Sequence, residues 1–323
     1  MSPIVNDKRP FFKYNTVRRN NWEADAVKVL NYGSLNLDYV YQVEHFVQPG
    51  ETLSAMSQRI NPGGKGLNQS VALSRAGAEV YHAGCLGLGG EMLGELLQQS
   101  GVDTRFLQFC DTIQGNAVIQ VDRSGQNCIL LFGGSNQCVT EEQVERTLAA
   151  FDAGDWLVLQ NEINNLPLIV EKAYARGMKI VLNPSPYNEK LSAVDFGKLD
   201  WLLVNEVELE QLSGSKLPED AWQKIHAKYP RLNLLVTLGG DGSVAFTEKV
   251  AVRQAAFKAK AVDTTAAGDT YTGYFIAGLM EGRGIQESMR RASMASGISV
   301  TRAGAAPSIP TVKEVEQALE ERA

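Results

Sequence analysis

From residue 27 onward, short apolar runs alternate with longer amphipathic stretches, and this alternation limits the fold more than any other feature of the chain. Strand-like runs are expected at 27–32, 80–83, 156–160, 179–183, 201–205 and 234–237. Between them, 64–76, 91–99, 141–150, 166–176 and 221–229 read as helices. In the first of these, Leu67, Val71, Leu73 and Ala76 form the apolar face and Gly77 stops it. Strands that alternate with helices imply a parallel sheet covered on both faces. Two regions break the pattern. Residues 38–60 and 116–132 are strand-rich without an intervening helix, and Arg123-Ser124-Gly125 reads as a hairpin turn. The expected fold class is α/β: a central, mostly parallel sheet with helices on both faces, plus a small projecting β-sheet suited to a lid or a dimer surface. Three helices are expected to close the chain, at 269–281, 286–299 and 311–322.

Composition excludes several functions. Lys and Arg number 31 and Asp and Glu 37, a net charge of −6, so there is no global pull toward nucleic acid or an anionic membrane. No run of 18 apolar residues offers a membrane span, and the N-terminus lacks the apolar segment of a signal peptide, so a cytoplasmic protein is expected. Cys85, Cys110, Cys128 and Cys138 form no CxxC pair and are too sparse for a disulfide framework. His45, His82 and His226 sit in no metal-binding motif, and catalysis by histidine is not expected. Residues 1–26 carry Lys8, Arg9, Lys13, Arg18 and Arg19 without periodicity and read as an extension, part of it expected to be disordered.

The chemistry concentrates in glycine-rich clusters. GxxxxGK[ST] and GxGxxG are both absent, which removes the fingerprints of a Walker loop and a Rossmann dinucleotide site. The cluster 61–68, Asn-Pro-Gly-Gly-Lys-Gly-Leu-Asn, opens a helix. It is either a plain turn or a close-approach loop with Lys65 and Asn68 facing a ligand. Thr237-Leu238-Gly239-Gly240-Asp241-Gly242 ends an apolar strand and suits either a tight turn or a nucleotide. Asp263-Thr264-Thr265-Ala266-Ala267-Gly268-Asp269 opens the helix at 269. Small residues there expose N–H groups at the positive end of the helix dipole, an anion hole for a phosphate. Asp269 serves there either as an N-cap or as a base. Asn205-Glu206-Val207-Glu208 follows a strand; it is either an acidic first helical turn or a holder of Mg²⁺ through waters.

In this order the clusters resemble the ribokinase-like, or PfkB, carbohydrate kinases. One signature is Gly63-Gly64-Lys65-Gly66-Leu67-Asn68-Gln69-Ser70, followed by Gly77 and Gly87; the other is 263–269. The resemblance covers residues 27–323, read as one kinase domain with lid strands from about 38–60 and 116–132, and is strongest to the ribokinase branch through Gly33-Ser34-Leu35-Asn36-Leu37-Asp38. It implies an ATP-dependent phosphotransferase with an alcohol acceptor, D-ribose first among the candidates. Deoxyribose, fructose, a ketodeoxy sugar acid or a nucleoside are the alternatives, and a non-catalytic regulatory homologue is a further one. By resemblance, Asn36, Asp38, Gly64, Lys65, Asn68 and Glu162 contact sugar hydroxyls, and Asp269 is the base. Ala266, Ala267 and Gly268 form the anion hole, Asn205 and Thr237, Leu238, Gly239, Gly240, Asp241 and Gly242 hold ATP, and Glu208 organises Mg²⁺. The same resemblance implies a K⁺ site at Asp263, Thr265, Ser299, Arg302, Gly304 and Ser308, mostly through backbone carbonyls, and a homodimer paired through the lid sheet. Two departures stand out: Ala266 replaces a frequent Gly, and Tyr274 replaces a small residue and is expected to crowd the packing or the nucleotide's surroundings.

Overall fold

The computed structural model describes residues 27–322, and the extension expected at 1–26 lies outside the described residues. In chain order the elements are β1 (Val29–Tyr32), β2 (Asn36–Gln42), β3 (Ser57–Gly63), α1 (Lys65–Arg75), β4 (Val80–Leu88), α2 (Glu91–Gln99), β5 (Asp103–Ile113), β6 (Asn116–Val121), β7 (Asn127–Phe132) and α3 (Glu141–Leu148). They continue with β8 (Trp156–Gln160), α4 (Leu166–Ala175), β9 (Lys179–Asn183), β10 (Trp201–Asn205), α5 (Glu206–Ser213), α6 (Pro218–Lys228), β11 (Asn233–Thr237), β12 (Ser243–Phe246), β13 (Ala251–Gln254), α7 (Ala267–Met280), α8 (Gly284–Ser299) and α9 (Val312–Glu320).

Nine strands form one sheet in the order β13-β12-β11-β10-β9-β8-β1-β4-β5. It is parallel from β5 to β11, and β12 and β13 add on antiparallel. Successive residues of a strand face opposite sides, so a fully apolar strand feeds two cores at once. Val29, Trp156, Val158 and Leu235 pack against α1, α7 and α8 on one face. Leu30, Leu157, Leu159 and Leu234 pack against α3, α4 and α6 on the other. From β1 the chain builds first toward β5 and then, from β8, toward β13, so the strand order reverses at β1/β8. Ligands of open α/β sheets bind beyond the carboxyl ends of strands at such a switch point.

The second sheet has the order β3-β2-β6-β7. Its β6–β7 connection closes where a hairpin turn is expected: Asp122 N donates to Gln126 O (3.0 Å), and the Asp122 carboxylate caps Ser124 N (2.8 Å) and Gln126 N (3.0 Å). Three strands lie outside the sequence expectation. β5 mixes charged and apolar residues along an edge, and β12 and β13 are four residues each, too short for a periodicity to register. The helix expected at 269–281 begins two residues earlier. Ala266 occupies its N-cap with φ 59°, so Asp269 is a third-position residue inside the helix and not the N-cap.

Candidate active site

Two loops at the switch point frame the first part of the site. β1 runs into Gly33 and Ser34; β8 runs into Asn161 and Glu162. The Ser34 hydroxyl donates to the Glu162 carboxylate and accepts from Gly66 N (3.2 Å), while Lys65 N donates to the same Glu162 oxygen (3.0 Å). The helix start at Lys65 is thus tied to both strand ends. The tie requires backbone contact: a Cβ on Gly66 would meet the Ser34 backbone, and Gly64 holds φ 93°.

β2 supplies Asn36 and Asp38. They stand opposite Gly63 and Asn61 of β3, and a Cβ on Gly63 would run into the Asp38 carboxylate. Asn36 is buried, and its Oδ1 accepts from Asn136 Nδ2 (2.7 Å); Asn136 Oδ1 in turn accepts from Leu35 N (2.9 Å). Three carboxylates converge here. Burial, then the charges of Glu162 and Asp269, push Asp38 up to about 7. Burial also pushes Glu162 up, although Lys65 and the Ser34 hydroxyl oppose it. For Lys65, burial works against the charge, yet Asp269, Glu162 and Glu208 hold it above the usual lysine range.

Asp269 is fixed by two amides from α1. Asn68 Nδ2 donates to Oδ2 (3.0 Å) and Gln69 Nε2 to Oδ1 (2.9 Å). Asn68 therefore engages the carboxylate through its amide nitrogen, and its buried Oδ1 finds no partner among the described residues. Asp269 lines a pocket of about 240 Å³ together with Lys65, Asn205, Glu208, Ala266, Ala267 and Gly268. The backbone N–H groups of 266–268 open the helix there, at its positive end.

A groove of about 840 Å³ continues from this pocket, sharing Asn205, Thr237, Ala267 and Gly268 with it. Gly239, Gly240 and Gly242 line it; Leu238 instead packs toward the core, and Asp241 is exposed outside the lining. Those two residues, expected to hold a nucleotide, do not line the groove: three apart on the single turn at Gly239–Asp241, they share a side of it that faces away. The lining adds Phe257, Lys258, Tyr271 and Gly297, for which no motif gave a signal.

Asn205 and Glu208 form a reciprocal capping box: Glu208 N donates to Asn205 Oδ1 (2.9 Å), and Asn205 N to Glu208 Oε2 (3.0 Å). Both readings of this segment meet in one geometry, since Glu208 caps α5 and also lines the pocket. The donor set suits Mg²⁺ held through water and phosphate oxygens: a single carboxylate lines the pocket beside Asp269, and the described residues contain no cluster of three His, Cys, Asp or Glu able to enclose a metal.

The loops 263–265 and 299–304 lie together. Asp263 Oδ1 accepts from Thr265 N (2.9 Å), Asp263 Oδ2 accepts from Gly304 N (2.9 Å), and Val262 N donates to Val300 O (2.7 Å). Burial works against the Asp263 charge, but the hydrogen bonds from Thr265 and Gly304 outweigh it and lower its pKa. Ser299 and Ser308 turn their hydroxyls to Ser296 O and Ala305 O (both 2.8 Å), and the Arg302 side chain pairs with Glu314 (2.6 Å). These side chains are spoken for; what the loops leave is backbone carbonyl oxygen, the donor type that suits a monovalent cation.

Of the two settings expected for Tyr274, the structure shows the packing one. It is buried on the far side of α7, and its hydroxyl donates to Pro310 O (2.8 Å) and reaches Arg75 O (3.3 Å). It joins α1, α7 and the chain entering α9, and it does not line the groove. Sequence reasoning also assigned no role to Ser34, Gln69, Gln114, Asn136 and Gln160; the buried Gln114 amide links Gly87 N (2.8 Å) to Leu35 O (2.6 Å). Ser34 and Gln69 lie inside quoted motifs; the other three lie on segments without a motif.

The chain matches the model of the pfkB family carbohydrate kinases over residues 27–312. It is 35% identical to the ribokinase of Haemophilus influenzae over 298 residues, covering 89% of this chain and 97% of that protein. Among solved structures it is similar to the ribokinase of Thermotoga maritima, with TM-score 0.81 and 34% identity over 91% of this chain and 99% of that one. It is also similar to Arabidopsis thaliana ribokinase complexed with ribose and ATP, with TM-score 0.79 and 28% identity over 91% and 99%. The chain belongs to the pfkB family of carbohydrate kinases and is a phosphotransferase that acts on an alcohol group.

Proposed function

We propose that the enzyme transfers the terminal phosphoryl group of ATP to the 5-hydroxyl of D-ribose, with Asp269 as the base. The observation that carries this reading is the position of Asp269. Its carboxylate lines the pocket at the opening of α7 and lies close enough to Asp38 and Glu162 to act on their charges, so a hydroxyl held by those two carboxylates would lie beside the anion hole. Asp38 and Glu162 accept hydroxyl hydrogen bonds from the sugar, and Asn36 and Lys65 donate to it. ATP lies in the groove lined by Asn205, Thr237 and the 239–242 turn. Asp269 takes the proton from the attacking hydroxyl, and the N–H groups at 266–268 receive the charge that develops on the phosphoryl oxygens. Lys65 lines the same pocket and adds a fixed positive charge. When bound, Mg²⁺ neutralises phosphate charge; Glu208 and Asn205 are the residues that would hold it. K⁺ would sit between the 263–265 and 299–304 loops.

The ribokinases named above support ribose as the acceptor. The small sheet closes over the sugar and limits wasteful ATP hydrolysis. Its exposed apolar edge, Ile129 to Phe132 on β7, supports a homodimer paired through this sheet. No helix among the described residues is long and apolar enough to cross a membrane, and the four cysteines are free; a cytoplasmic site of action is in keeping with both.

The test is ADP release with Mg-ATP and K⁺ across ribose, deoxyribose, fructose, a ketodeoxy sugar acid and adenosine. Turnover with ribose alone, lowered when Na⁺ replaces K⁺, is expected. Turnover with another acceptor instead would overturn the roles given to Asn36, Asp38 and Glu162 and keep that of Asp269. No turnover with any of them would favour a regulatory protein.

A further inference from the structure

Behind Asp269 a chain of fully buried amides runs away from the pocket. Gln69 Nε2 donates to Asp269 Oδ1 (2.9 Å), and Gln69 Oε1 accepts from Gln160 Nε2 (2.7 Å). The same Gln160 nitrogen donates to Asn31 Oδ1 (2.9 Å). Asn31 Nδ2 donates to Gly66 O (2.7 Å) and Ser70 Oγ (2.8 Å), and Ser70 Oγ meets His82 Nδ1 (2.7 Å). Asn31, Gln69, Ser70, His82 and Gln160 all have 0% exposure.

The polarity of this chain is set from both ends. Gly66 O can only accept, so the Asn31 atom beside it is the amide nitrogen, and Asn31 Oδ1 must face Gln160. An ionised Asp269 can only accept, so Gln69 gives it Nε2 and turns Oε1 toward Gln160. Two acceptors therefore face residue 160 from opposite sides, and only a group with two donor hydrogens satisfies both. The far end carries no charge. Burial lowers His82 to about 3, so its ring is neutral and shares one hydrogen bond with Ser70.

We infer that Gln160, at the carboxyl end of β8, is a positioning residue: through Gln69 it fixes the orientation of the Asp269 carboxylate while touching neither substrate. Gln160 does not line the pocket or the groove. The inference rests on the reading of Asp269 as the base. Without the Gln160 donor, the Gln69 amide is free to rotate its oxygen toward Asp269, and a carboxylate set against an amide oxygen moves away from the attacking hydroxyl.

The test compares Gln160→Glu, Gln160→Met and Asp269→Asn in the full-length enzyme, with ribose and Mg-ATP varied separately and folding followed by circular dichroism. Gln160→Glu keeps the shape but presents an acceptor to two acceptors. Its kcat is expected to fall about 100-fold, the scale of a 1 Å misplacement. KM for ribose and for ATP should stay within about twofold, since ground-state contacts are untouched. Gln160→Met removes the donor without adding an acceptor and should lose about tenfold in kcat. If Gln160→Glu does not fold, Gln160→Met decides alone. A folded Gln160→Met with kcat within about twofold of wild type, whatever its melting temperature, overturns the inference. So does a variant whose loss lies in the ribose KM, because Gln160 would then act on the sugar. Asp269→Asn separates the two readings. If it is inactive while the Gln160 variants are unimpaired, only the positioning role fails; if it keeps near-native turnover, the base itself is wrong.

Discussion

β8 and β7 are both short apolar strands, WLVLQ and NCILLF, yet every residue of β8 is buried and every residue of β7 is exposed. The difference lies in their neighbours. β8 is hydrogen-bonded between β1 and β9 and covered by helices on both faces. β7 closes the edge of a four-stranded sheet. Apolar composition makes a strand; its cover decides whether that strand stores stability or offers a surface. The enzyme divides its work along the same line. The large sheet and its helices hold Asp269 and the opening of α7, the proposed base and anion hole, in a packed frame. In the proposed function the small sheet would bring Asn36 and Asp38 to the sugar and offer the apolar β7 edge to a second copy.

The largest test of this division falls on the packed frame. Asp269→Asn should lower kcat about 10³-fold, within the range of a general base. The melting temperature should hold, because an Asn oxygen can still accept one of the amide donors. A variant with near-native kcat would remove Asp269 from the chemistry. Next comes the contrast between the strands themselves. Leu159→Ala on β8 opens a cavity in a side chain of 0% exposure and should cost about 2–5 kcal/mol by chemical denaturation. Leu130→Asp on β7, 72% exposed, should cost the isolated subunit less than about 0.5 kcal/mol and shift sedimentation from dimer to monomer. Similar stability losses for the two would break the comparison.

Much of this division could be read in the sequence, and the reason is physical. The parallel strands are continuous apolar runs between helices, and the loops at 63–68, 237–242 and 263–269 carry glycines where the backbone must approach a ligand or another strand. β5, β12 and β13 escaped because a short or mixed-polarity edge strand carries little periodic signal. The capping box of Asn205 and Glu208 was legible as a helix start. That Glu208 also lines the pocket depends on where α5 lands. Asn136 and Gln160 were invisible for a different reason: their partners lie 100 and 91 residues away in the chain, so no spacing rule links them. For Tyr274 the sequence leaves packing and the nucleotide's surroundings both open, because residue size alone does not reveal that its helix face turns toward α1 and Pro310.

A smaller effect separates the sheets by pH. Asp38 of the small sheet is pushed up to about 7, against an unfolded value near 3.8. A raised carboxylate binds its proton more readily when folded, so its cost to stability is absent below the unfolded value, grows as pH rises and is complete above about 7. Asp38→Asn should therefore raise the melting temperature more at pH 8 than at pH 5 while weakening the sugar KM. In the wild type the sugar KM should improve as pH rises from 6 to 8, as Asp38 becomes a full acceptor; in Asp38→Asn that dependence should vanish. A wild-type KM that is flat across this range would put Asp38 out of contact with the sugar.

The smallest effect is expected at the opening of α7. Ala266 holds φ 59°, one of two non-glycine residues with positive φ among those described. A left-handed alanine costs about 1–2 kcal/mol. Ala266→Gly relieves that cost but gives the unfolded chain more freedom, a loss of about 0.4–1 kcal/mol. The two nearly cancel, so the melting temperature should rise slightly or not move. The kinetic outcome carries more information. The N–H groups at 266–268 should keep their directions in the glycine variant, because glycine adopts the conformation already present without steric cost, and kcat should stay within about threefold. Loss of kcat beyond tenfold, at unchanged stability, would mean that the methyl group matters through stiffness. Alanine would then restrict the loop to one conformation before the phosphoryl group arrives, and the strain at Ala266 would be part of how the anion hole is kept ready.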